Sequence, residues 1–363
     1  MPPTVLSPKQ LVRRFGPPAV FVLLVAGHQG WPGCGPDAPP ERAAEAPFTQ
    51  IEGVAFGASF TLKLVAPLDA EAEQALNDEL AVLLDGIDRR MSTYKPETEL
   101  SRFNAGQSLE PTPMSPMTLA VLREAVELNR ASGGAFDVTV RPLVRVWGFG
   151  AGAAAVEPSA EAIAAALALV GPDKVELDLA AGTIRKIAPA VEVDLSAIAP
   201  GWAADRVAEA LEAHGWHDYL VDVGGEYRLS GSSPGGGPWR VGIEQPDSTA
   251  RRGYAVATLS SGALATSGDY RAYREVDGRR ISHTIDPRNG QTVSHGLASV
   301  TVLHALASQA DGWATALSVL GPDEGMRVAE QNDLAVFFIV REGAGFASRT
   351  SAAWRRSQGE PAG

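Results

Sequence analysis

Apolar residues recur at helical spacing in several stretches of the chain. Within residues 69–92, Leu76, Leu80, Leu84 and Ile87 lie three or four positions apart, which predicts a helix with one buried face. The same spacing, with capping residues before it and Gly or Pro after it, predicts further helices over residues 115–134, 159–171, 200–215 and 308–332, the last broken at Gly321–Pro322.

Alternating polar and apolar residues predict strands in other segments. Residues 48–66 fit a hairpin with Gly53 and Gly57 at its bends, and residues 334–340 (LAVFFIV) fit a buried strand. Further strands are expected within residues 174–187, 218–231, 239–246 and 253–287. Helices and strands mix without the regular βαβ order of a doubly wound sheet. We therefore predict an α+β fold with mixed, largely antiparallel sheets and packed helices.

The overall charge restricts the kinds of ligand that the protein can bind. The 363 residues are 45% hydrophobic and 20% charged, with a formal net charge of −12 at pH 7. An acidic chain without a long basic run repels a phosphate backbone, so we expect no nucleic-acid partner. An anionic ligand therefore needs a metal ion or a cluster of backbone N–H groups to hold it.

The first 34 residues have the layout of an export signal. Arg13 and Arg14 precede an apolar run at residues 17–27, which is shorter than the about 20 residues needed to span a bilayer. Cys34, the single cysteine, follows small and turn-forming residues, a layout that resembles a bacterial lipoprotein signal. We expect export to the periplasmic side of the cell membrane, with a lipid anchor as the membrane contact if Cys34 is modified. The alternatives are a signal that is simply cleaved and a twin-arginine signal that contains Arg13 and Arg14.

The chain after the signal divides into three parts by composition. Residues 35–47 are rich in Pro and Ala and too polar to pack, which is typical of a tether. Residues 48–345 carry the periodic patterns and are predicted to form one domain. Residues 346–363 are expected to be a polar C-terminal tail.

Asp311 and Thr315 are candidates for metal binding because they lie four residues apart on a predicted helix. Their side chains then share one helix face, and both offer oxygen ligands of the kind that Mg²⁺ prefers. The spacing also fits a second interpretation, in which Ser308 and Asp311 form a capping box and Thr315 bonds a carbonyl one turn back.

Other candidate residues lie at junctions between elements. A predicted strand ends at Asp194 and a helix begins near Pro200, a place where backbone N–H groups can face a phosphate, although Asp194 could also simply cap the helix. Tyr94 and Asp137 follow helix ends, where packing explains a Tyr and a turn explains an Asp without any functional role. His283 precedes the Asp286–Pro287 corner, which a strand running into a turn would also explain.

Taken together, these segments resemble the FAD:protein FMN transferases, the ApbE-type flavin transferases. The resemblance covers about residues 50–340. It is carried by seven blocks in order: MSTYKPETELSRFN, GGAFDVTVRPLVRVWGFG, VDLSAIAPGWAADRVAEAL, YLVDVGGEYRLSG, ATSGDYRAY, SHTIDPRNG and ADGWATALSVLG.

The resemblance implies that FAD is the donor, Mg²⁺ the metal, and AMP the leaving group. FMN would pass to a Thr or Ser hydroxyl of an acceptor protein, expected to be a membrane or periplasmic redox subunit. Mg²⁺ would be held by Asp311, Thr315 and the backbone carbonyl of Ala197. The implied FAD-contacting residues are Phe56, Tyr94, Ala135, Phe136, Asp137, Asp194, Pro200 and Ile285. Phe56 replaces a common Met, and Pro200 replaces a common Lys, which removes a cation from the implied FAD site.

Attack by a hydroxyl requires that its proton be removed as the new bond forms. His283 could accept this proton near neutral pH because an unperturbed His has a pKa of about 6.5. Asp286 is then expected to orient His283 or to support the metal. Two other functions fit the same residues: an FAD pyrophosphatase that uses water as the nucleophile, and a non-catalytic FAD-binding maturation factor.

Overall fold

The structure, a computed structural model, describes residues 46–149, 157–247, 252–268, 273–276 and 279–360. The expected export signal, Cys34 and nearly all of the expected tether lie outside the described residues. None of the helices in the described ranges is long and apolar enough to cross a membrane.

Fifteen strands are present in the described part of the chain. They are β1 Thr49–Ala55, β2 Ala58–Leu64, β3 Thr112–Pro113, β4 Val175–Asp178, β5 Thr183–Lys186, β6 Tyr219–Val223, β7 Glu226–Ser230, β8 Trp239–Glu244, β9 Gly253–Leu259, β10 Ser261–Gly268, β11 Tyr273–Val276, β12 Arg279–Ser282, β13 Leu297–His304, β14 Ala335–Glu342 and β15 Gly345–Thr350.

The same residues include eight helices, and all five predicted helices are among them. They are α1 Ala70–Met91, α2 Glu99–Ala105, α3 Pro116–Ala131, α4 Arg141–Val146, α5 Ala160–Leu167, α6 Ala199–Ala213, α7 Ala307–Gln331 and α8 Ala352–Ser357.

A central sheet of eight strands organises the molecule, in the order β1-β2-β6-β7-β10-β13-β14-β15. Every neighbouring pair in this sheet is antiparallel. Smaller sheets are formed by β3-β5-β4, β8-β9 and β11-β12. The α+β class and the largely antiparallel pairing are therefore confirmed.

Both faces of the sheet are covered, which explains the unbroken apolar run in β14. Val336 and Phe338 contribute to the main core, which the sheet shares with α1, α3, α6 and α7. Phe337 and Ile339 point to the other face, where the β8-β9 hairpin and Trp354 of α8 cover them. Successive side chains of a strand alternate between faces, so a strand covered on both sides is apolar throughout.

The first hairpin forms as predicted, with one difference. Phe56 and Gly57 make the two-residue turn between β1 and β2, and both have positive φ angles of 54° and 75°. Such angles strain a residue with a Cβ but not glycine. Gly53 instead pairs with Phe60 inside the strand, so the bend expected at Gly53 is wrong.

The C-terminal boundary that the sequence predicts is also wrong. Residues 346–360 are folded, because β15 pairs with β14 and α8 follows it. Ser351 caps α8 by accepting from Trp354 N at 3.1 Å, and its hydroxyl donates to Leu334 O at 2.7 Å. Polar residues dominate this segment because β15 is an edge strand, which is largely exposed.

Helix α7 breaks where the sequence predicts. Gly321 adopts φ 76° and ψ −176°, and Pro322 has no N–H to donate to the carbonyl of Ser318. His295 Nε2 lies 3.0 Å from that carbonyl and replaces the missing donor. A Cβ on Gly321 would lie 2.4 Å from the His295 ring, so this position also requires glycine for space.

Candidate active site

A cleft of about 970 Å³ opens beside α7. This volume is at the upper end of the range of about 300–1,000 Å³ found for small-molecule sites, which suits a ligand of dinucleotide size. The cleft brings together ten of the residues that the sequence singled out: Tyr94, Ala135, Phe136, Asp137, Asp194, Ala197, His283, Ile285, Asp311 and Thr315. Their individual roles stay predictions.

Asp311 and Thr315 lie one turn apart in the first half of α7 and both line the cleft. The Asp311 side chain is buried, and its Oδ2 accepts from Gly201 N at 3.3 Å. Thr315 Oγ1 lies 3.4 Å from Ser267 Oγ on β10. The capping-box alternative is excluded, because α7 begins at Ala307 with Leu306 as its N-cap and Ser308 lies inside the helix.

The charge on Asp311 is poorly compensated by the protein. Among the residues whose side chains the structure describes, no Lys or Arg forms an ion pair with it. Burial raises the pKa of Asp311 to about 7. The hydrogen bond from Gly201 N lowers this pKa, but its effect is smaller than that of burial. A buried carboxylate without a protein cation is the kind of group that a divalent ion would neutralise.

Glu226 is a cleft residue that the sequence interpretation assigned no role. It begins β7 after the Gly224–Gly225 turn, and it lines the same cleft as Asp311. Desolvation, with added repulsion from Asp311 and Asp222, raises its pKa well above the ordinary value. Its position in the VGGEY block, just after two turn glycines, is the signal that could have identified it.

Asp194 is held by the loop and does not cap a helix. Its Oδ1 accepts from Ser196 N at 2.9 Å. Arg141 lies 3.2 Å from its Oδ2, and the same Arg141 also pairs with Glu192 at 2.9 Å. The N-cap of α6 is Ile198, which has no side-chain capping bond. The interpretation of Asp194 as a capping residue is therefore wrong, and its carboxylate forms part of the cleft wall.

Asp137 follows the Gly133–Gly134 stop of α3, as predicted. Its Oδ1 accepts from Thr139 N at 2.7 Å, and Asn129 Nδ2 donates to its Oδ2 at 3.1 Å. Burial raises the pKa of Asp137 above its ordinary value, while these bonds lower it. The bonds fix the backbone of the Ala135–Asp137 segment against the cleft.

Aromatic and imidazole rings mark the cleft rim. Tyr94 is 78% exposed, so its ring face is free to cover a flat ligand. The exposed His283 ring lies 6.5 Å from the Phe149 ring, centre to centre, in an edge-on arrangement. Ile285 is buried two residues further on.

Three predicted site residues do not line the cleft. Phe56 lies in the β1-β2 turn and packs on the main core, and Pro200 lies in the first turn of α6. Asp286 is held in its own turn, where Arg288 Nη2 binds Oδ2 at 2.8 Å and Asn289 Nδ2 binds it at 3.2 Å. This pairing explains its burial and does not support the expected catalytic role for Asp286.

The oxygen donors of Asp311, Thr315 and Ala197 fit a Mg²⁺ ion whose remaining ligands would come from the substrate. In the described part of the chain, no group of three or more His, Cys, Asp or Glu side chains is arranged to hold a metal. Asp311, Thr315 and the Ala197 carbonyl offer only oxygen donors, and Mg²⁺ commonly binds one or two carboxylates together with substrate phosphates. The uncompensated charge of Asp311 favours a cation at this place.

The fold and the sequence match known flavin transferases. The crystal structure of the flavinyl transferase ApbE from Pseudomonas stutzeri, in its apo form, aligns with a TM-score of 0.79 and 39% identity over 88% of this chain and 99% of that one. The flavin transferase ApbE of Vibrio cholerae aligns with a TM-score of 0.76 and 40% identity over 85% and 99%. The FAD:protein FMN transferase of Haemophilus influenzae is 41% identical over 313 residues, which are 84% of this chain and 90% of that protein.

Fold and cleft thus define an enzyme of the flavin transferase class. The chain belongs to the ApbE family, which it matches over residues 56–338.

Proposed function

We propose that this enzyme moves FMN from FAD to a Thr or Ser hydroxyl of an acceptor protein, with Mg²⁺ bound and with release of AMP. The names of the relatives support FAD as donor and a protein as acceptor. The observation that carries the proposal is the convergence of Asp137, Asp194, His283, Asp311 and Thr315 on one cleft from distant parts of the chain.

Asp311, Thr315 and the carbonyl of Ala197 would hold the metal. When bound there, Mg²⁺ would offset the charge of the FAD diphosphate and polarise the phosphorus under attack. The cleft residues then have to position the donor, because phosphoryl transfer depends mainly on positioning and on stabilising charge. Tyr94 covers the flavin ring, and the Ala135–Asp137 segment, Asp194 and Ile285 line the rest of the donor site.

His283 accepts the proton of the acceptor hydroxyl. The hydroxyl oxygen forms a bond to the FMN phosphorus, and the bond from that phosphorus to the bridging diphosphate oxygen breaks. AMP leaves with the bridging oxygen. Exposure of His283 at the cleft rim supports this role, because a macromolecular acceptor can reach only the rim.

The acceptor meets the enzyme outside the cytoplasm in this proposal. The export signal expected in residues 1–34 and the lipid anchor expected on Cys34 support an enzyme held at the periplasmic side of the cell membrane. The acceptor is then a membrane or periplasmic redox subunit with an exposed Thr or Ser.

Incubation with FAD, Mg²⁺ and an acceptor protein of a relative tests the proposal. We expect a flavin-fluorescent acceptor band that survives denaturing electrophoresis and one AMP per flavin attached, both abolished by EDTA. An acceptor with its Thr or Ser changed to Ala is the control. AMP release without acceptor would instead identify a pyrophosphatase, and tight FAD binding with neither product would identify a maturation factor.

A further inference from the structure

Helices α6 and α7 lack capping side chains of their own. The N-cap residues Ile198 and Leu306 make no side-chain capping bonds. The first N–H groups of any helix have no partner within that helix, and burying them unpaired is costly. Here each helix begins against the other, and each supplies a carboxylate to the other.

Asp205 of α6 satisfies the start of α7. Its Oδ1 accepts from Ala307 N at 2.8 Å, and its Oδ2 accepts from Ser308 N at 3.0 Å. The side chain is only 3% exposed, and Arg228 Nε of β7 lies 3.5 Å from Oδ1. Both carboxylate oxygens therefore accept hydrogen bonds from the first turn of α7.

Asp311 of α7 makes the return contact through the Gly201 N–H of α6 described above. The helices approach closely at this point, since a Cβ on Gly201 would lie 2.3 Å from Ala307 O. The two carboxylates and the glycine thus fix the axial and lateral position of α7 relative to α6.

These contacts join the two elements that supply the metal ligands. Ala197 precedes Ile198, the N-cap of α6, whereas Asp311 and Thr315 lie on α7. A shift of α7 along α6 would change the spacing between the Ala197 carbonyl and the α7 oxygens. Metal ligands tolerate little error in position, and changes to the residues that orient them commonly weaken metal binding about 10- to 100-fold.

We propose that Asp205 is a positioning residue for the metal site, which it serves by holding the first turn of α7 in register with α6. This inference rests on the proposed metal site at Asp311, Thr315 and Ala197. Asp205 does not line the cleft, so it acts through the helices and not by touching substrate.

Mn²⁺ binding to the purified protein tests the proposal, with FAD present and acceptor omitted. Free Mn²⁺ is followed by its electron paramagnetic resonance signal, and the thermal unfolding temperature is measured with and without Mn²⁺. We expect Asp205→Asn to weaken Mn²⁺ binding about 10- to 100-fold, because the amide nitrogen cannot accept from an N–H group. Asp205→Ser likewise leaves one uncharged acceptor oxygen where Asp205 has two, so a loss of the same order is expected.

Ser351→Ala is the matched control for general loss of stability. Ser351 is also a fully buried helix-capping residue, but it serves α8 and does not line the cleft. We expect this variant to unfold at a lower temperature and to bind Mn²⁺ as the parent protein does.

The outcomes separate this inference from the proposed function. If Asp311→Ala binds Mn²⁺ as tightly as the parent, the metal site itself is wrong. If Asp311→Ala loses binding while folded Asp205→Asn or Asp205→Ser keeps parental affinity, the positioning role of Asp205 is wrong and the metal site stands.

Discussion

Asp311 and Asp286 are two carboxylates with almost the same burial and very different surroundings. Their exposed fractions are 6% and 7%. Asp286 lies in the turn after His283, where Arg288 and Asn289 bind it. Asp311 lies on α7 at the cleft, where it accepts a bond from Gly201 N and burial raises its pKa to about 7. No cationic side chain that the structure describes pairs with it.

The difference shows that burial alone does not mark a functional carboxylate. A buried carboxylate with an arginine partner is already satisfied and contributes to the fold. A buried carboxylate that lacks a cation destabilises the empty site and favours a bound cation. Substitutions at Asp311, His283 and Asp286 test whether the two carboxylates differ in this way.

The largest effect is expected from Asp311→Ala. We expect FMN transfer to fall about 10³-fold, because charge stabilisation at the reacting phosphate is lost. Transfer is measured as the initial rate of fluorescent acceptor formation at saturating FAD, and circular dichroism checks the fold. Asp286→Asn is the matched substitution, and we expect its rate per folded enzyme to be close to that of the parent. Equal losses for the two variants would remove the distinction between these carboxylates.

His283→Gln is expected to lower transfer about 10²-fold, since general-base catalysis typically contributes 10²–10⁴-fold and water can replace an exposed base in part. The rate is measured at saturating Mg²⁺ while the FAD concentration is varied. The loss should lie in kcat, with the KM for FAD close to that of the parent, because His283 meets the acceptor hydroxyl and not the flavin. A kcat equal to that of the parent would show that His283 is not the base.

Asp286→Asn is expected to lower the free energy of unfolding by about 3 kcal/mol. Removing one partner of a buried ion pair costs about 3–5 kcal/mol, and the partial exposure of Arg288 places this pair at the lower end. Urea unfolding followed by tryptophan fluorescence measures the change. A loss below about 0.5 kcal/mol, the range of ordinary surface substitutions, would contradict a structural role for Asp286.

Asp311→Asn should change the free energy of unfolding in the opposite direction when metal is absent. The folded-state pKa of about 7 lies above the ordinary 3.8, so the folded protein holds the proton more tightly than the unfolded chain does. Stability from this group is therefore present below pH 4 and lost as the pH rises through about 7.

Since one unit of pKa shift equals about 1.4 kcal/mol, the rise of about 3 units above 3.8 corresponds to about 4 kcal/mol. We expect the Asn variant to be more stable than the parent by up to this amount at pH 8, and equal to it at pH 3. Urea unfolding in EDTA at both pH values tests this. A variant that is less stable than the parent at pH 8 would show that the Asp311 charge is already neutralised by the protein.

Local patterns were sufficient to predict most of the fold. The apolar stripe of α1, the Ser115 cap of α3 and the Gly321–Pro322 break of α7 depend only on neighbouring residues. The segment at 346–360 was missed because an edge strand carries few apolar residues, and its anchor Trp354 is a single signal. The start of α7 was predicted to within one residue, but the Ser308–Asp311 capping box was not found, because the group that caps this helix, Asp205, lies 102 residues away from Ala307.

The site likewise contains residues that local patterns predict and residues whose partners are distant in the sequence. The i, i+4 spacing of Asp311 and Thr315 is a local pattern, and the seven motif blocks placed most of the cleft residues. Glu226 and Asp205 received no role, because their partners lie on other elements of the fold. Arg288, which binds Asp286, lies only two residues from it in the sequence. The bond was nevertheless not predicted, because the position of Asp286 three residues after His283 suggested a catalytic role.

The break in α7 has a mechanical consequence for the cleft. An unbroken helix of 25 residues would be a rigid rod about 37 Å long, at 1.5 Å per residue. Any displacement of its far end would then act as a lever on Asp311 and Thr315. With Gly321 turned out of helical geometry and His295 bonded to the Ser318 carbonyl, the half that carries Asp311 and Thr315 ends as a short segment of its own. A shift of residues 322–331 then need not pass along one continuous helix to reach these two side chains.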